Sequence, residues 1–317
     1  MLYKVLLTFL LTSSNVLAAT LHTILIADTN DTNIGKSTMV DISNMENLVE
    51  SIHKNTGLSL NIQKVFGNKI TKNNGRKNVI KVINELSVND QDIVIFYYSG
   101  HGARLSTSRT RWPSLAVNGV KTKINNLLPL NWIVKQLKQK KPKFFIAIAD
   151  SCNEIINTTH FATKIGGQKK EAYQRLFLGY KGHIIMSSSK PGQFSFGHPS
   201  SGGFFTQAFM TSLNKALTSS KPTWQQILDS ATRPINTKYF IQKQQIPQAN
   251  SKNAVFEGVK TTCQKSANLM AERSVVICKD NIESICVGKG TCKTGGYFQQ
   301  GKQECCCDNR GRAHCYE

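Results

Sequence analysis

Runs of apolar residues, separated by amphipathic stretches, dominate most of this chain. The continuous apolar runs at residues 21–27, 93–97 and 144–149 have the length and composition of fully buried strands. Residues 58–66 alternate apolar and polar side chains, and residues 182–186 form one more short apolar run. The pattern therefore predicts a series of strands, most of them buried on both faces.

Helical spacing fills the intervals between these strands. Apolar residues recur there at intervals of three and four positions, which places them on one face of a helix. The predicted helices cover residues 45–53, 79–86, 130–137, 204–217 and 224–232. Ser43 or Asn44 is placed to cap the first of them.

Strands that alternate with helices predict an α/β fold, namely a mainly parallel sheet with helices on both faces. In such sheets, ligands bind in the crevice outside the carboxyl ends of the strands. Residues 28–37 and 103–123 are predicted loops on that side. The second is long and irregular, which is typical of a lid or a specificity loop.

The first 18 residues have the pattern of a secretory signal peptide. Lys4 precedes an apolar run at residues 5–11, and small residues follow up to Ala18, after which we expect cleavage. The run is far shorter than the ~20 residues that a membrane-spanning helix needs, although a buried strand is an alternative. We therefore expect a secreted or periplasmic protein without a transmembrane anchor.

Cysteine usage divides the rest of the chain into a domain over residues 19–259 and a small cysteine-rich module over residues 260–317. Eight of the nine cysteines lie in that module: Cys263, Cys278, Cys286, Cys292, Cys305, Cys306, Cys307 and Cys315. An even number in an exported protein predicts a disulfide-stapled module, with zinc binding as the alternative. If the eight pair with one another, Cys152 is left as a lone thiol.

The net charge of +21 indicates a strongly basic surface. Such a surface favours contact with acidic partners such as nucleic acid, anionic lipid or envelope polymer. The sequence holds no zinc finger, RNA-recognition motif or arginine-rich block with interleaved aromatics, so no specific nucleic-acid partner is predicted. An adhesive or nucleic-acid-coating role would depend on charge alone, and a solvated basic surface explains the charge equally.

Two short motifs carry the candidate chemistry. The string Tyr98-Ser99-Gly100-His101-Gly102 follows one buried run, and Asp150-Ser151-Cys152 follows another. A thiol and an imidazole at the same sheet edge are the minimum parts of a cysteine nucleophile and its proton acceptor. Taken singly, His101 is equally explained as a structural histidine and Cys152 as an inert buried thiol.

Together these motifs resemble the caspase-like cysteine peptidases, most closely the metacaspases and their bacterial relatives. A histidine about 50 residues before the cysteine is typical of caspases. The resemblance covers residues 21–258. Supporting strings are Trp112-Pro113, Pro191-Gly192-Gln193, Gly203-Phe204-Phe205-Thr206 and Gln245-Ile246-Pro247-Gln248.

The resemblance implies an endopeptidase that acts on protein or peptide substrates, and the signal peptide adds that it is exported. No cofactor or metal is predicted. Cys152 would attack the scissile carbonyl, and His101 would accept its proton and later protonate the leaving amine. The backbone N–H groups of Gly102 and Cys152 would form the oxyanion hole. The family needs no third residue to orient the histidine.

The resemblance also assigns substrate-binding residues. Asp150 matches the metacaspase acid that favours Arg or Lys before the cut, and a cap of the turn at the strand end is its structural alternative. Asp41 is a candidate second acid, for which the alternative is a favourable charge at the N-terminus of a helix. Ser187 and Ser188 are expected to offer backbone edges to an extended substrate.

This chain departs from the metacaspase pattern directly after the nucleophile. Asn153-Glu154-Ile155 stands where metacaspases usually have His-Ser-Gly. This difference leaves the catalytic pair intact, but it weakens the inference that this chain shares the substrate preference of metacaspases. No acidic cluster predicts the calcium dependence found in some relatives. The alternative function is a catalytically silent caspase-like scaffold that binds a partner through its cysteine-rich tail.

Overall fold

The chain forms two compact units, Met1–Gly258 and Val259–Glu317. The computed structural model describes residues 19–70, 74–104, 108–119, 123, 126–151, 154–155, 167–235 and 245–259, together with short strands in the second unit. The predicted signal peptide and Cys152 lie outside the described residues.

Twelve strands and six α-helices are described in the first unit. The strands are β1 Thr20–Ala27, β2 Ser59–Phe66, β3 Ile93–Gly100, β4 Gly102–Ala103, β5 Ser114–Leu115, β6 Leu128–Pro129, β7 Phe144–Ser151, β8 Glu154–Ile155, β9 Tyr180–Ser187, β10 Phe196–His198, β11 Gly202–Gly203 and β12 Gln248–Phe256. The helices are α1 Gly35–Thr56, α2 Gly75–Glu85, α3 Leu130–Gln139, α4 Lys170–Tyr173, α5 Phe204–Leu217 and α6 Trp224–Ala231. A 3₁₀ turn at Gly67–Lys69 and a π-helical turn at Gln174–Leu178 complete the set.

A six-stranded sheet in the order β12-β9-β7-β3-β1-β2 forms the centre of this unit. Its five neighbouring strands from β2 to β9 are parallel, and β12 pairs antiparallel with β9 at the edge. The α/β prediction is confirmed. The edge strand β12 was not predicted because most of its residues are exposed or half-buried, which leaves no apolar run to detect.

Helices cover both faces of the sheet and enclose two apolar cores. On one face, α1, α5 and α6 pack against alternate strand residues such as Leu25, Tyr97 and Ile148. On the other face, α2 and α3 pack against the intervening residues, such as Ile24 and Phe96. Because β1 and β3 are buried on both sides, their sequences are continuous apolar runs and do not alternate between apolar and polar residues.

Helix α1 is longer than predicted. It begins at Gly35, whereas the sequence placed residues 28–37 in a loop and started the helix at residue 45. The first two turns bury Ser37, Thr38 and Asp41 instead of apolar side chains, so the apolar periodicity begins only after them. Asp41 therefore lies inside the helix, not ahead of it.

The predicted loop over residues 103–123 contains regular structure. Strands β4, β5 and β6 form a small antiparallel sheet, with Gly102 opposite Leu115 and Leu115 opposite Leu128. The backbone N–H of Ala116 also donates to the carbonyl oxygen of His101 at 2.9 Å. This sheet anchors the chain that directly follows His101.

The second unit contains seven described strands, all in antiparallel pairs. They are β13 Cys263–Gln264, β14 Ser274–Cys278, β15 Glu283–Val287, β16 Thr291–Cys292, β17 Tyr297–Gln300, β18 Gln303–Cys307 and β19 Ala313–Tyr316. The backbone register places Cys263 opposite Cys278, Cys286 opposite Cys292, and Cys305 opposite Cys315. Among the described residues of the whole chain, no helix is long and apolar enough to cross a membrane.

His183 on β9 makes the stability of the first unit depend on pH. The residue is 8 % exposed, and its ring stacks on Phe145 with centroids 4.9 Å apart. Nε2 of the ring lies 3.1 Å from the side-chain amide nitrogen of Asn253. Burial, helped by the charge of Lys138, lowers the pKa of His183 from 6.5 to about 4. The unfolded chain therefore binds a proton here at a higher pH than the folded chain does.

We expect the contribution of His183 to the free energy of unfolding to decrease as the pH falls from 6.5 to about 4, because protonation of His183 favours the unfolded state. Denaturant unfolding at a series of pH values measures this free energy in each protein. Its change over the range should be more negative in the unsubstituted protein than in His183→Gln, with Lys138→Met between them, because the buried acids whose pKa is raised are common to all three proteins. An identical pH dependence in all three proteins would contradict the assignment.

Candidate functional site

The carboxyl ends of the central strands bring the candidate residues together. In the parallel register, Ala27 lies opposite Ser99, Ser99 opposite Asp150, and Gly100 opposite Ser151. His101 directly follows β3, and Cys152 directly follows β7 in the sequence, so each is the next residue after a paired position. The placement of Cys152 itself lies outside the described residues.

His101 is held by a carboxylate. Its Nε2 atom lies 3.1 Å from Oδ2 of Asp31, and the two side chains are only 13 % and 5 % exposed. The carbonyl oxygen of His101 accepts hydrogen bonds from the backbone N–H of Ala116 and from the Tyr98 hydroxyl, at 2.9 and 2.6 Å. Hydrogen bonds therefore hold both the ring and the backbone of His101.

Asp31 is itself fixed by the turn that leads into α1. Its Oδ1 atom accepts hydrogen bonds from the backbone N–H groups of Asn33 at 2.7 Å and Ile34 at 2.9 Å. Burial raises the pKa of Asp31, but these two hydrogen bonds and the charge of His101 outweigh burial and hold it below the ordinary value. Asp31 is therefore a carboxylate at neutral pH, and it faces the imidazole.

Asp28 adds a second acid to this cluster. It follows β1, is 3 % exposed, and its Oδ2 atom has no hydrogen-bond partner among the described residues. One oxygen of Asp28, one of Asp31 and a ring nitrogen of His101 lie within 4.8 Å of one another. Burial, and then the charge of Asp31, raise the pKa of Asp28 to about 6. These three residues are called the Asp28 cluster below.

Gly102 lies against the residue that precedes Cys152. A Cβ atom at position 102 would come within 2.6 Å of the Ser151 Cβ atom and 2.7 Å of its Oγ atom. Position 102 therefore accepts no side chain without displacing the end of β7. The glycine lets the backbone after His101 approach the backbone before Cys152, as the predicted oxyanion hole requires.

Asp41 and Asp150 meet on the other side of β3. Oδ2 of Asp41 accepts from the Ser99 hydroxyl at 2.7 Å, and its Oδ1 accepts from the N–H of Gly203 at 2.8 Å. Asp150 accepts from the hydroxyl of Ser195 and from both the N–H and the hydroxyl of Thr206. Each side chain is 1 % exposed.

Two acids in such surroundings do not ionise easily. Burial, and then the charge of Asp150, raise the pKa of Asp41 well above its ordinary value. Burial also raises the pKa of Asp150, although hydrogen bonds from Thr206, Ser195 and Ser188 oppose it. Like charges in a buried site favour a cation between them or a proton on one of them.

Ser187 and Ser188 are built into the sheet. Ser187 is paired with Ala149 of β7 and with Gln248 of β12, and the N–H of Ser188 donates to the carbonyl of Ala149 at 3.0 Å. The carbonyl of Ser188 accepts from the Gln245 amide. Neither residue offers the open backbone edge that the sequence led us to expect, because those groups are bonded within the protein.

A groove of about 250 Å³ lies beside the end of β7. Gly102 and Ser151 line one part of it, and Ser189, Pro191 and Gly192 line another. Three cationic residues also line the groove: Arg104, Arg111 and Lys190. Arg111 stacks on Trp112 and donates to the carbonyl of Ala249 at 2.7 Å. The groove therefore adjoins Gly102 and Ser151, the sequence neighbours of His101 and Cys152.

The sequence did not identify Asp31 or Asp28 as site residues. Both lie in a polar stretch after β1 that has the composition of an ordinary loop, and no motif distinguishes them there. A signal was present in the topology, since β1 is the neighbour of β3 in the sheet and ends at the same edge. Only the register brings the loop after β1 to His101.

Comparison with known proteins identifies the family of this chain. A family model described as the caspase domain matches residues 25–256. Among solved structures, the chain is similar to protein GSU0716 from Geobacter sulfurreducens, with 11 % identity, a TM-score of 0.42, and coverage of 72 % of this chain and 92 % of that one. No curated protein sequence matches the chain significantly. Because the family model spans most of the chain, the resemblance is confirmed, and the protein belongs to the caspase-domain family of cysteine peptidases.

Proposed function

We propose that this protein is an exported endopeptidase that cleaves peptide bonds with Cys152 as nucleophile and His101 as its proton acceptor. The parallel register of β3 and β7 is the observation that carries the proposal. Gly100 lies opposite Ser151, so the residues after them start from neighbouring positions at one sheet edge. Neighbouring strands are about 4.8 Å apart, which is within reach of a thiol and an imidazole.

In the proposed first step, the proton of the Cys152 thiol moves to the imidazole of His101. Asp31 accepts a hydrogen bond from the Nε2 side of the ring, so the Nδ1 lone pair is left to accept that proton. The sulfur then attacks the carbonyl carbon, and the oxygen takes the negative charge. The N–H groups of Gly102 and Cys152 would stabilise this oxyanion by ~3 kcal/mol for each donor.

In the second half of the reaction, His101 gives the proton to the leaving amine and the acyl-enzyme is hydrolysed by water. Asp31 acts through His101 and does not touch the substrate, so we assign it as a positioning residue. Its carboxylate fixes the tautomer of the ring and stabilises the imidazolium that forms in between. The dyad expected from the sequence thus gains an acidic partner.

For the residue before the cut, we propose Arg or Lys, recognised by Asp150 and Asp41. The two carboxylates share one buried site, and a cationic side chain between them would relieve their repulsion and desolvation. The three cations of the groove favour the opposite charge. They are exposed, however, and Arg104 and Arg111 already donate to backbone carbonyls, so solvent and these bonds weaken their attraction.

Substitution of the reacting residues tests the mechanism. Hydrolysis of fluorogenic peptides by the purified protein should be abolished in Cys152→Ala and His101→Ala. In Asp31→Asn we expect kcat to decrease by about ten- to a thousandfold with little change in KM, because only the proton acceptor is disturbed. Asp90→Asn, at an exposed turn, is the matched control and should match the unsubstituted protein.

Hydrolysis that survives Cys152→Ala would contradict the thiol mechanism. An Asp31→Asn protein with unchanged kcat would contradict the role of Asp31. Absence of hydrolysis in every protein, with Cys152 no more reactive than an ordinary thiol, would favour the silent scaffold.

Peptides that differ only in the residue before the cut test the specificity. We expect kcat/KM to be highest for Arg and Lys, and the Arg-to-Asp ratio to fall by about tenfold or more in Asp150→Asn, because a charged hydrogen-bond partner is lost. The ratio is insensitive to the fraction of folded enzyme. A preference for Asp would show that the groove cations, and not Asp150 and Asp41, recognise the residue before the cut.

A further inference from the structure

The backbone pairing of the second unit places six of its eight cysteines directly opposite one another. The three register pairs are Cys263 with Cys278, Cys286 with Cys292, and Cys305 with Cys315. Residues that lie directly opposite each other in an antiparallel pair have Cα atoms about 4.5 or 5.5 Å apart. Both distances fall within the ~4.4–6.8 Å that separates the Cα atoms of a disulfide. Each register pair therefore has the backbone spacing of a disulfide bond.

The register of β18 with β19 also separates Cys305 from its two cysteine neighbours. Cys307 lies two positions further along β18, so it is a diagonal neighbour of Cys315. Diagonal neighbours are ~7–8 Å apart, which is beyond the reach of a bridge. Cys306 lies on the opposite face of β18, because successive residues of a strand alternate between faces. Of the three, Cys305 is the one placed to bridge to Cys315.

The four cysteines of β13 to β16 cannot exchange partners without moving a strand. Cys286 lies on β15 opposite Ser274, which is four residues from Cys278 on β14. A strand rises ~3.4 Å per residue, so Cys278 and Cys286 are offset by ~13 Å along the strands. The two register pairs of this sheet therefore lie at opposite ends of β14, and each is closed on itself.

Cys306 and Cys307 remain, and the extended strand keeps them from bridging to each other. Consecutive Cα atoms are ~3.8 Å apart, below the range of an ordinary disulfide, and the two residues lie on opposite faces. The pairing with β19 holds Cys306 opposite His314 and Cys307 opposite Ala313. A bond between the two sulfurs would require β18 to leave this register.

We propose that the three register pairs are disulfide bonds and that Cys306 and Cys307 remain thiols. Each bridge forms when two thiols give two protons and two electrons to an external disulfide such as oxidised glutathione, which becomes two thiols. The even number of cysteines led us to expect four bridges, whereas the register supports three. This inference does not rest on the proposed peptidase function.

The proposal changes what a thiol reagent meets on this chain. Cys152 is then one of three thiols, and the other two are adjacent residues of the second unit. Modification of the whole protein would therefore not report on Cys152, and its reactivity has to be measured on the peptide that contains it.

Peptide mapping of the full chain tests the connectivity. Cys152→Ala removes the thiol of the first unit. The protein is equilibrated with reduced and oxidised glutathione, unfolded, alkylated without reduction and digested with trypsin. Lysines and arginines place each bridged cysteine in a separate peptide: Thr261–Lys265, Ser274–Lys279, Asp280–Lys289, Gly290–Lys293, Gln303–Arg310 and Ala313–Glu317. We expect these peptides to be linked in that order, first with second, third with fourth and fifth with sixth. Two alkylated thiols should both lie in Gln303–Arg310.

Serine variants assign the bridge of Gln303–Arg310, which contains three cysteines. On the Cys152→Ala background, Cys305→Ser should lose the link to Cys315 and raise the number of alkylated thiols from two to three. Cys306→Ser and Cys307→Ser are the matched controls, and each should keep the link and lower that number to one. If Cys305→Ser does not fold, fragmentation of the linked peptides of the Cys152→Ala protein identifies the bridged residue.

A link that persists in Cys305→Ser, or that is lost in either control, would overturn the assignment to Cys305. Four bridges without a free thiol would overturn the proposal for Cys306 and Cys307, as would a disulfide-linked dimer formed through either of them. Eight alkylated cysteines in a protein that releases zinc on unfolding would favour a zinc module and overturn all three bridges. Links in mixed combinations would show that the register does not direct the pairing.

Discussion

The parallel pairing of β3 with β7 is the constraint on which the site depends. Residues of both strands alternate between the two apolar cores, so a slip of one residue would turn each core side chain to the opposite face. A slip of two would keep the faces but move one strand end by about 6.6 Å. The burial that stabilises the sheet therefore also fixes the pairing of Gly100 with Ser151 at the end of the two strands.

The same edge concentrates buried carboxylates, which the fold must accommodate. Asp41 and Asp150 receive five hydrogen bonds from Ser99, Gly203, Ser195 and Thr206, and these offset much of the loss of water. The Asp28 cluster is less well satisfied, because no residue that the structure describes donates to Oδ2 of Asp28. Such an arrangement is unfavourable for folding, and sites of this kind are typical of catalysis or ligand binding.

The sequence predicted the layers of the fold well because strands buried on both faces and amphipathic helices leave strong periodic signals. It selected His101 as a candidate through its glycine neighbours and its position after a buried strand. It missed the first turns of α1, where Ser37, Thr38 and Asp41 point inward without any apolar period. It also missed Asp31, because the contact of Asp31 with His101 arises from the pairing of β1 with β3, which no local pattern records.

The most direct test of the account is the rate at which an alkylating reagent modifies Cys152 as a function of pH, followed by mass spectrometry of the peptide that contains it. A thiol that passes its proton to His101 should react well below pH 8.5, the ordinary pKa of a cysteine, and this reactivity should be lost in His101→Ala and weakened in Asp31→Asn. A profile like that of an ordinary thiol, unchanged in both variants, would contradict the proposed pairing of Cys152 with His101.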